Sequence, residues 1–576
     1  MSRKPVVRCA VRPGAYHDSV VLMRLQAALA ALPGILDAGV VMATPANLAI
    51  LAASGLLPKT ATDAGPGDLL IAVKAESQPA AAEALSRVDA LLQIPSSNRA
   101  ESSEEMRPRS IASALKQLPE ARWVLVSVPG RYAAAVAHEA LDLGRNVFLY
   151  SDNVPLADEV ALKRKARDRG LLVLGPDCGT AIIGNTGLGF ANRTKPGRIG
   201  IVAASGTGLQ AAVSFLSELE IGVSQAIGLG GRDLSSEVGG ITAAQALDLL
   251  RRDPATEVIL LISKPPAPEV SRRLITLAHA TDKNVVVCFL GTPPPVLRVW
   301  DVHFVVGLED AVDTADHALA GKGDGMYTFS KTFAAGQCWV RGLFSGGTLA
   351  LEIFLRLSAV LEPVHSNLSS SPDQRLPDLT RSQGHTILDL GADEFTVGRL
   401  HPMIDLDLRL RRLRQEAADP EVALILLDVV LGDGAHADPA GELVPVIKSL
   451  QADARAAGRA LDIVAIVIGT DLDPQDKKRQ VQDLGRAGVK VCRTLIDMVD
   501  YTLLRLEEIA GGPPRFEDPP VPLEALRGPV AAINVGLESF YDSLVAQGAS
   551  AVQVDWRPPA GGDEKLAGIL ARMKGR

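Results

Sequence analysis

Short uninterrupted apolar runs, bounded by glycine, proline and small polar residues, alternate along this chain with longer stretches whose apolar positions return every three or four residues. The first pattern is that of strands buried on both faces and the second that of helices packed over them, so an α/β protein with parallel sheets is predicted. Over residues 1–95, strands Val6 to Val11, Ala38 to Met42 and Asp68 to Val73 alternate with helices Ser19 to Leu32 and Ala80 to Leu92 and a short helix opened by Thr44-Pro45. A small α+β domain with helices on one face of its sheet follows. Residues 95–109, PSSNRAESSEEMRPR, are charged without period and read as a linker. Over 110–195, WVLVSVPG, NVFLYSDN and LLVLGPDCG are strands parted by helical segments, a Rossmann-like parallel sheet. Ligands collect where such strands end, here at Pro129-Gly130, Ser151-Asp152-Asn153 and Gly175-Pro176-Asp177-Cys178-Gly179-Thr180.

The next two units, 196–325 and 335–510, are copies of one plan. IGIVAASGTGLQAAVSFL is answered by VRGLFSGGTLALEIFL, AIGLGGRDLSSEVGG by ILDLGADEFTVGR, and RRDPATEVILLISKPP by AADPEVALILLDVVLG, in the same order. The later copy carries an insertion, VHSNLSSSPDQRLPDLTRSQG, whose Ser, Pro and Asp bias marks a surface loop. Two duplicated flavodoxin-like domains are predicted. Residues 525–576 form an extension with strands AAINVGL and AVQVDW, which read as sheet additions, and a final helix.

Composition then narrows the partners. A net charge of -8 over 576 residues gives no electrostatic reason to bind nucleic acid or an anionic membrane, and no apolar run exceeds strand length, so a cytoplasmic protein is expected. Five cysteines lie far apart with no CxxC, which indicates neither a disulfide framework nor a zinc site.

Candidate chemistry gathers in the turns. In Ser205-Gly206-Thr207-Gly208 the glycines let backbone N–H groups converge at the start of a helix, whose positive end favours an anion. Ser345-Gly346-Gly347-Thr348 offers a second donor set at the matching repeat position, and the two sites converge if the copies face each other. The competing reading is that small residues simply let each helix pack close to its strand. Neither a P-loop nor a Rossmann fingerprint is present, since GxxxxGK[ST] is missing and Gly228-Leu229-Gly230-Gly231 lacks the spacing. Lys264 follows a strand, placed either to reach a phosphate or as a solvated loop lysine. Arg232 and Asp233 lie between glycine pairs in what reads as a mobile ligand loop. Arg399, His401 and Asp405 bind a carboxylate, transfer protons or form a structural cap, the cap being favoured; Cys178 is a thiol near the site or, by preference, a buried small apolar residue.

GPDCGT, GRIGIVAASGTG, AIGLGGRDLSSEVGG and DPATEVILLI together resemble the α subunit of succinyl-CoA synthetase, and ILDLGADEFTVG with DPEVALILLD resembles the CoA-ligase domain of its β subunit. Over nearly the whole chain, YHDSVVLM, MATPAN, SDNVPLADEVALKRKARDRGLLVLGPDCGT, SKPP, VGRLHPMID and WRPPAGGDEKLA are similar to the FdrA family of the acyl-CoA synthetase superfamily. The resemblance implies a CoA-binding-type domain at 110–195 and succinyl-CoA synthetase-type domains at 196–325 and 335–510. The superfamily's phosphohistidine relay is departed from: VVVCFLG is followed by TPPPVLRVWD without histidine, and Ser263-Lys264-Pro265-Pro266 stands where an acidic residue is expected. No cofactor is then required in this chain, although the family allows CoA or a nucleotide. FdrA proteins are linked to oxamate carbamoyltransferase, implying a subunit that interconverts oxalurate and phosphate with oxamate and carbamoyl phosphate alongside other subunits. On that reading Ser205 to Gly208 and Ser345 to Thr348 hold phosphoryl oxygens beside the strand-end residues Asp177 and Cys178. Lys264 neutralises charge, and Arg232 or Arg399, with His401, meets the substrate carboxylate. An acid–CoA ligase of the ADP-forming succinyl type and a non-catalytic scaffold subunit are the alternatives.

Overall fold

The computed structural model describes residues 5–13, 19–57, 64–65, 68–92, 107–291, 297–319, 333–511 and 515–558. Most of the linker reading, the loop after VVVCFLG and the final helix fall outside them. Chain contacts form two compact units, 1–155 with 529–576, and 156–528.

The first unit begins with an antiparallel sheet in the order Val6–Arg12, Leu69–Ala75, Ile35–Met42. Leu69, Ile71 and Val73 face one core with Leu25, Leu29 and Ala81, while Leu70 and Ala72 face another with Leu51 and Leu56. Helices therefore cover both faces, not one, because the middle strand LLIAVKA is apolar on both sides. Thr44 caps the helix Pro45–Ala53 by accepting from the Asn47 N–H. A parallel sheet follows in the order Ser550–Val554, Ala531–Val535, Trp123–Val126, Asn146–Leu149, so the C-terminal strands extend a sheet begun some four hundred residues earlier.

In the second unit an eight-stranded sheet runs Arg298–Val299, Val302–Val305, Asn284–Phe289, Val258–Ser263, Pro196–Ala203, Val223–Gly228, Thr180–Ile183, Thr186–Gly189. Its five middle strands are parallel, and the hairpin Thr180–Gly189 adds antiparallel at one edge. A six-stranded parallel sheet runs Val364–Ser366, His385–Asp389, Trp339–Phe344, Val422–Val430, Asp462–Ile468, Lys490–Cys492. The insertion of the later copy is thus not all loop: its Val364–Ser366 is an edge strand with Val364 fully buried. No described helix is long and apolar enough to cross a membrane.

Candidate functional site

Both Ser-Gly turns stand where an interior strand of a parallel sheet ends and a helix begins. The strand Pro196–Ala203 leads into the helix Gly206–Glu218, capped by Ser205, whose Oγ accepts from the Gly208 N–H at 3.1 Å. The Ser205 hydroxyl is thereby spent on its own helix. The Gly206 and Thr207 N–H groups have no acceptor among the described residues, both residues are exposed, and a Cβ on Gly206 would meet nothing within 4 Å. These are the bare donors of a helix start. Lys264, one residue beyond the neighbouring strand Val258–Ser263, is exposed at the same edge.

The strand Trp339–Phe344 leads into the helix Gly347–Ser358, and here the donors are taken. The Asp428 carboxylate accepts from the Ser345 N–H at 2.8 Å, the Ser345 Oγ at 3.0 Å and the Gly346 N–H at 2.8 Å. Arg409, also buried, approaches the same carboxylate at 2.6 Å and donates to the Leu343 carbonyl. The expected second phosphoryl cradle is therefore filled by an internal anion. Register traces the difference to one position. Ile262 pairs with Ala203, two residues before Ser205, and Leu427 pairs with Leu343, two before Ser345. The next residue along is Ser263 in the first copy and Asp428 in the second. Among the described residues no hydrogen bond or ion pair joins the two turns.

Asp389 ends the strand His385–Asp389 beside the second turn and is 7% exposed. Its Oδ1 accepts from the Gly391 N–H at 2.9 Å, and its Oδ2 lies 2.6 Å from where a Gly347 Cβ would stand. Burial, then Asp428 and Glu394, raise its pKa against the opposing pull of the Gly391 N–H and His401. His401 accepts from the Met403 N–H at Nδ1, so the neutral ring carries its proton on Nε2. That Nε2 is 2.6 Å from where a Gly391 Cβ would stand. Arg399 is exposed, and Asp405 accepts from the Asp407 N–H at the start of the following helix.

The Arg232-Asp233 loop is pinned rather than mobile. Asp233, fully buried, accepts from the Thr242 and Ala243 N–H groups at a helix start and pairs with Lys163 at 2.6 Å. Lys163 also meets Glu159 at 3.0 Å, and Arg232 forms an ion pair with the other Glu159 oxygen at 2.8 Å. Arg232, itself exposed, is thus engaged by a buried carboxylate. Asp177 is exposed in a left-handed conformation, φ 57°. Cys178 is buried, and desolvation pushes its thiol up to about 12, which suits the buried apolar reading and removes it as a nucleophile. Asp389, Asp428, Glu159 and Lys163 went unread in the sequence. The two aspartates had a signal, a single charge within an otherwise apolar run in ILDL and ILLD.

Three family models match: "AllF, heavy metal-associated domain" over 2–108, "CoA binding domain" over 194–291 and "CoA-ligase" over 343–499. The uncharacterized protein YahF of Escherichia coli (strain K12) is 42% identical over 494 residues, 84% of this chain and 95% of the relative. The chain belongs to the FdrA/AllF-like family of the acyl-CoA synthetase superfamily. Outside that family, the α subunit of succinate–CoA ligase [ADP-forming] from Aquifex aeolicus is 32% identical over 183 residues, 30% of this chain and 58% of the relative. The apo dinucleotide-forming acetyl-coenzyme A synthetase 1 of Ca. Korarchaeum cryptofilum matches with 16% identity and a TM-score of 0.28 over 68% of this chain and 84% of its own. Among the described residues no three His, Cys, Asp or Glu side chains gather to hold a metal ion, and Cys9 stands half-buried.

Proposed function

We propose that this FdrA/AllF-like chain is the phosphoryl-binding subunit of a carbamoyl-transferring complex, converting oxalurate and phosphate to oxamate and carbamoyl phosphate with other subunits. The observation that carries the reading is the open pair of N–H donors at Gly206 and Thr207, with Lys264 on the same edge. A phosphoryl dianion needs donors there and no covalent partner, and Ser263-Lys264 holds no acid to steady a phosphohistidine. Each charge-assisted hydrogen bond contributes about 1.5–3 kcal/mol, offset by immobilisation of the ligand, so two donors and a lysine support modest affinity. The Gly206→Val side chain would enter open space, leaving the fold intact while covering the donors. Calorimetry with phosphate and with carbamoyl phosphate should show binding lost; unchanged affinity removes the first turn from the account.

A second reading, an acid–CoA ligase working with an ATP-binding partner, draws support from the CoA-ligase match over 343–499. The same Gly206, Thr207 and Lys264 would then hold a phosphate of CoA or of a nucleotide. Incubation of the complex with labelled ATP, a carboxylic acid and CoA separates the two: acid-labile protein phosphorylation favours the ligase, and carbamoyl phosphate made from oxalurate favours the transferase.

A further inference from the structure

Within the second unit, the helices Ile241–Arg252 and Pro268–His279 of the first copy and the segment 515–521, which follows the last helix of the second copy, wall a cavity of about 330 Å³. That volume lies at the low end of the roughly 300–1,000 Å³ of small-molecule sites. None of its lining residues belongs to either Ser-Gly turn. Gln245, 4% exposed, lines the cavity and donates its Nε2 to the Leu171 carbonyl at 3.0 Å, which makes its Oε1 the acceptor. No donor reaches that Oε1 among the described residues. A buried carbonyl left without a donor carries a desolvation cost that an incoming N–H relieves. Leu277, Phe516 and Val521 supply apolar wall, and the Arg251 guanidinium sits 4.7 Å from the centroid of the Phe516 ring.

The charges around the cavity divide into spent and unspent. Asp248 is taken by Arg251 and Arg252 at 2.8 and 2.7 Å, and Asp518 stands between Arg167 and Arg273 at 3.7 and 3.9 Å. Arg515 and Glu517, both exposed and both lining the cavity, have no ion-pair partner among the described residues. We propose that the cavity binds an aromatic α-amino acid whose ring carries an N–H: the ring lies against Leu277, Phe516 and Val521, the ring N–H donates to Gln245 Oε1, the carboxylate meets Arg515 and the ammonium meets Glu517. An indole N–H donates and cannot accept, which matches a lone acceptor. A nucleotide phosphate would meet Arg515 but set a like charge beside Glu517, so the rim favours a zwitterion. Occupation would fasten the segment 515–521 to helices of the first copy, and it uses none of the groups assigned to the phosphoryl ligand.

The test is calorimetry on the full chain with free tryptophan as the probe. In the parent chain 1-methyltryptophan, which lacks the ring N–H, should bind about tenfold more weakly, the loss of one hydrogen bond, and in Gln245→Leu the two ligands should bind alike. Arg515→Ala should weaken tryptophan about threefold, the scale of an ion pair at an exposed rim, and leave tryptamine, which has no carboxylate, unchanged. Gly206→Val should bind tryptophan as the parent does, whatever becomes of phosphate. No tryptophan binding by the parent chain, equal affinity for tryptophan and its 1-methyl form, or AMP binding that depends on Arg515 while tryptophan stays inert, overturns the proposal.

Discussion

The turn at Ser205 and the turn at Ser345 share a plan: an interior parallel strand, a serine, glycines, then a helix of 13 or 12 residues. One leaves its leading N–H groups open, and the other surrenders them to Asp428. Their cores are made of the same kind of apolar strand, so duplication has preserved the layers. The divergence lies at the carboxyl end of the adjacent strand, where Ser263 in one copy answers Asp428 in the other. A helix start demands an anion or water, and whether a ligand or a side chain supplies the anion is decided there by a single residue. The two copies have thereby diverged at their turns: one leaves its leading N–H groups open, and the other closes them with a buried carboxylate.

Removing the internal anion should have the largest effect. Asp428→Ala leaves Arg409 buried without its partner and bares the donors of Ser345 and Gly346, a loss of about 3–5 kcal/mol expected when one member of a buried ion pair is deleted. Denaturant unfolding of the full chain measures it, and a loss below 1 kcal/mol would mean that the carboxylate does not hold the turn.

Placing an anion where the first copy lacks one comes next. Ser263→Asp should reach the Ser205 and Gly206 N–H groups as Asp428 reaches those of Ser345 and Gly346. With the Gly206 bond diverted and a negative charge set beside the Thr207 N–H, phosphate affinity should fall about tenfold or more. A folded Ser263→Asp chain that binds phosphate as before would show that register equivalence between the copies does not extend to the turns.

The layers and the duplication were legible because each strand is an apolar run and each copy repeats the same order of runs. Less was legible where a partner lies far along the chain. Arg232 looked free between its glycines, yet its partner Glu159 sits on a preceding helix, in an i,i+4 pattern with Lys163 that reads as an ordinary exposed pair. The hairpin Thr180–Gly189 did carry a signal, Gly184-Asn185 between two short apolar runs, and both residues take the left-handed φ, 52° and 64°, that such a two-residue turn requires. Asp428 was visible as a lone charge within an apolar strand, but its role needed the pairing of Leu427 with Leu343, which no local pattern supplies.

The finest discrimination between the turns is one substitution made twice. Ser205→Ala removes a hydroxyl that accepts from the Gly208 N–H and should cost about 1 kcal/mol, the usual loss of a helix cap. Ser345→Ala removes a hydroxyl that donates to a buried carboxylate, a bond in the range of about 1.5–3 kcal/mol, while the Ser345 and Gly346 N–H groups still hold Asp428. The second serine should therefore cost roughly twice the first in unfolding free energy. It should also leave phosphate binding untouched, since its turn takes no phosphate. Equal losses would mean that the Ser345 hydroxyl acts as a plain cap, and that Asp428 is held by backbone and Arg409 alone.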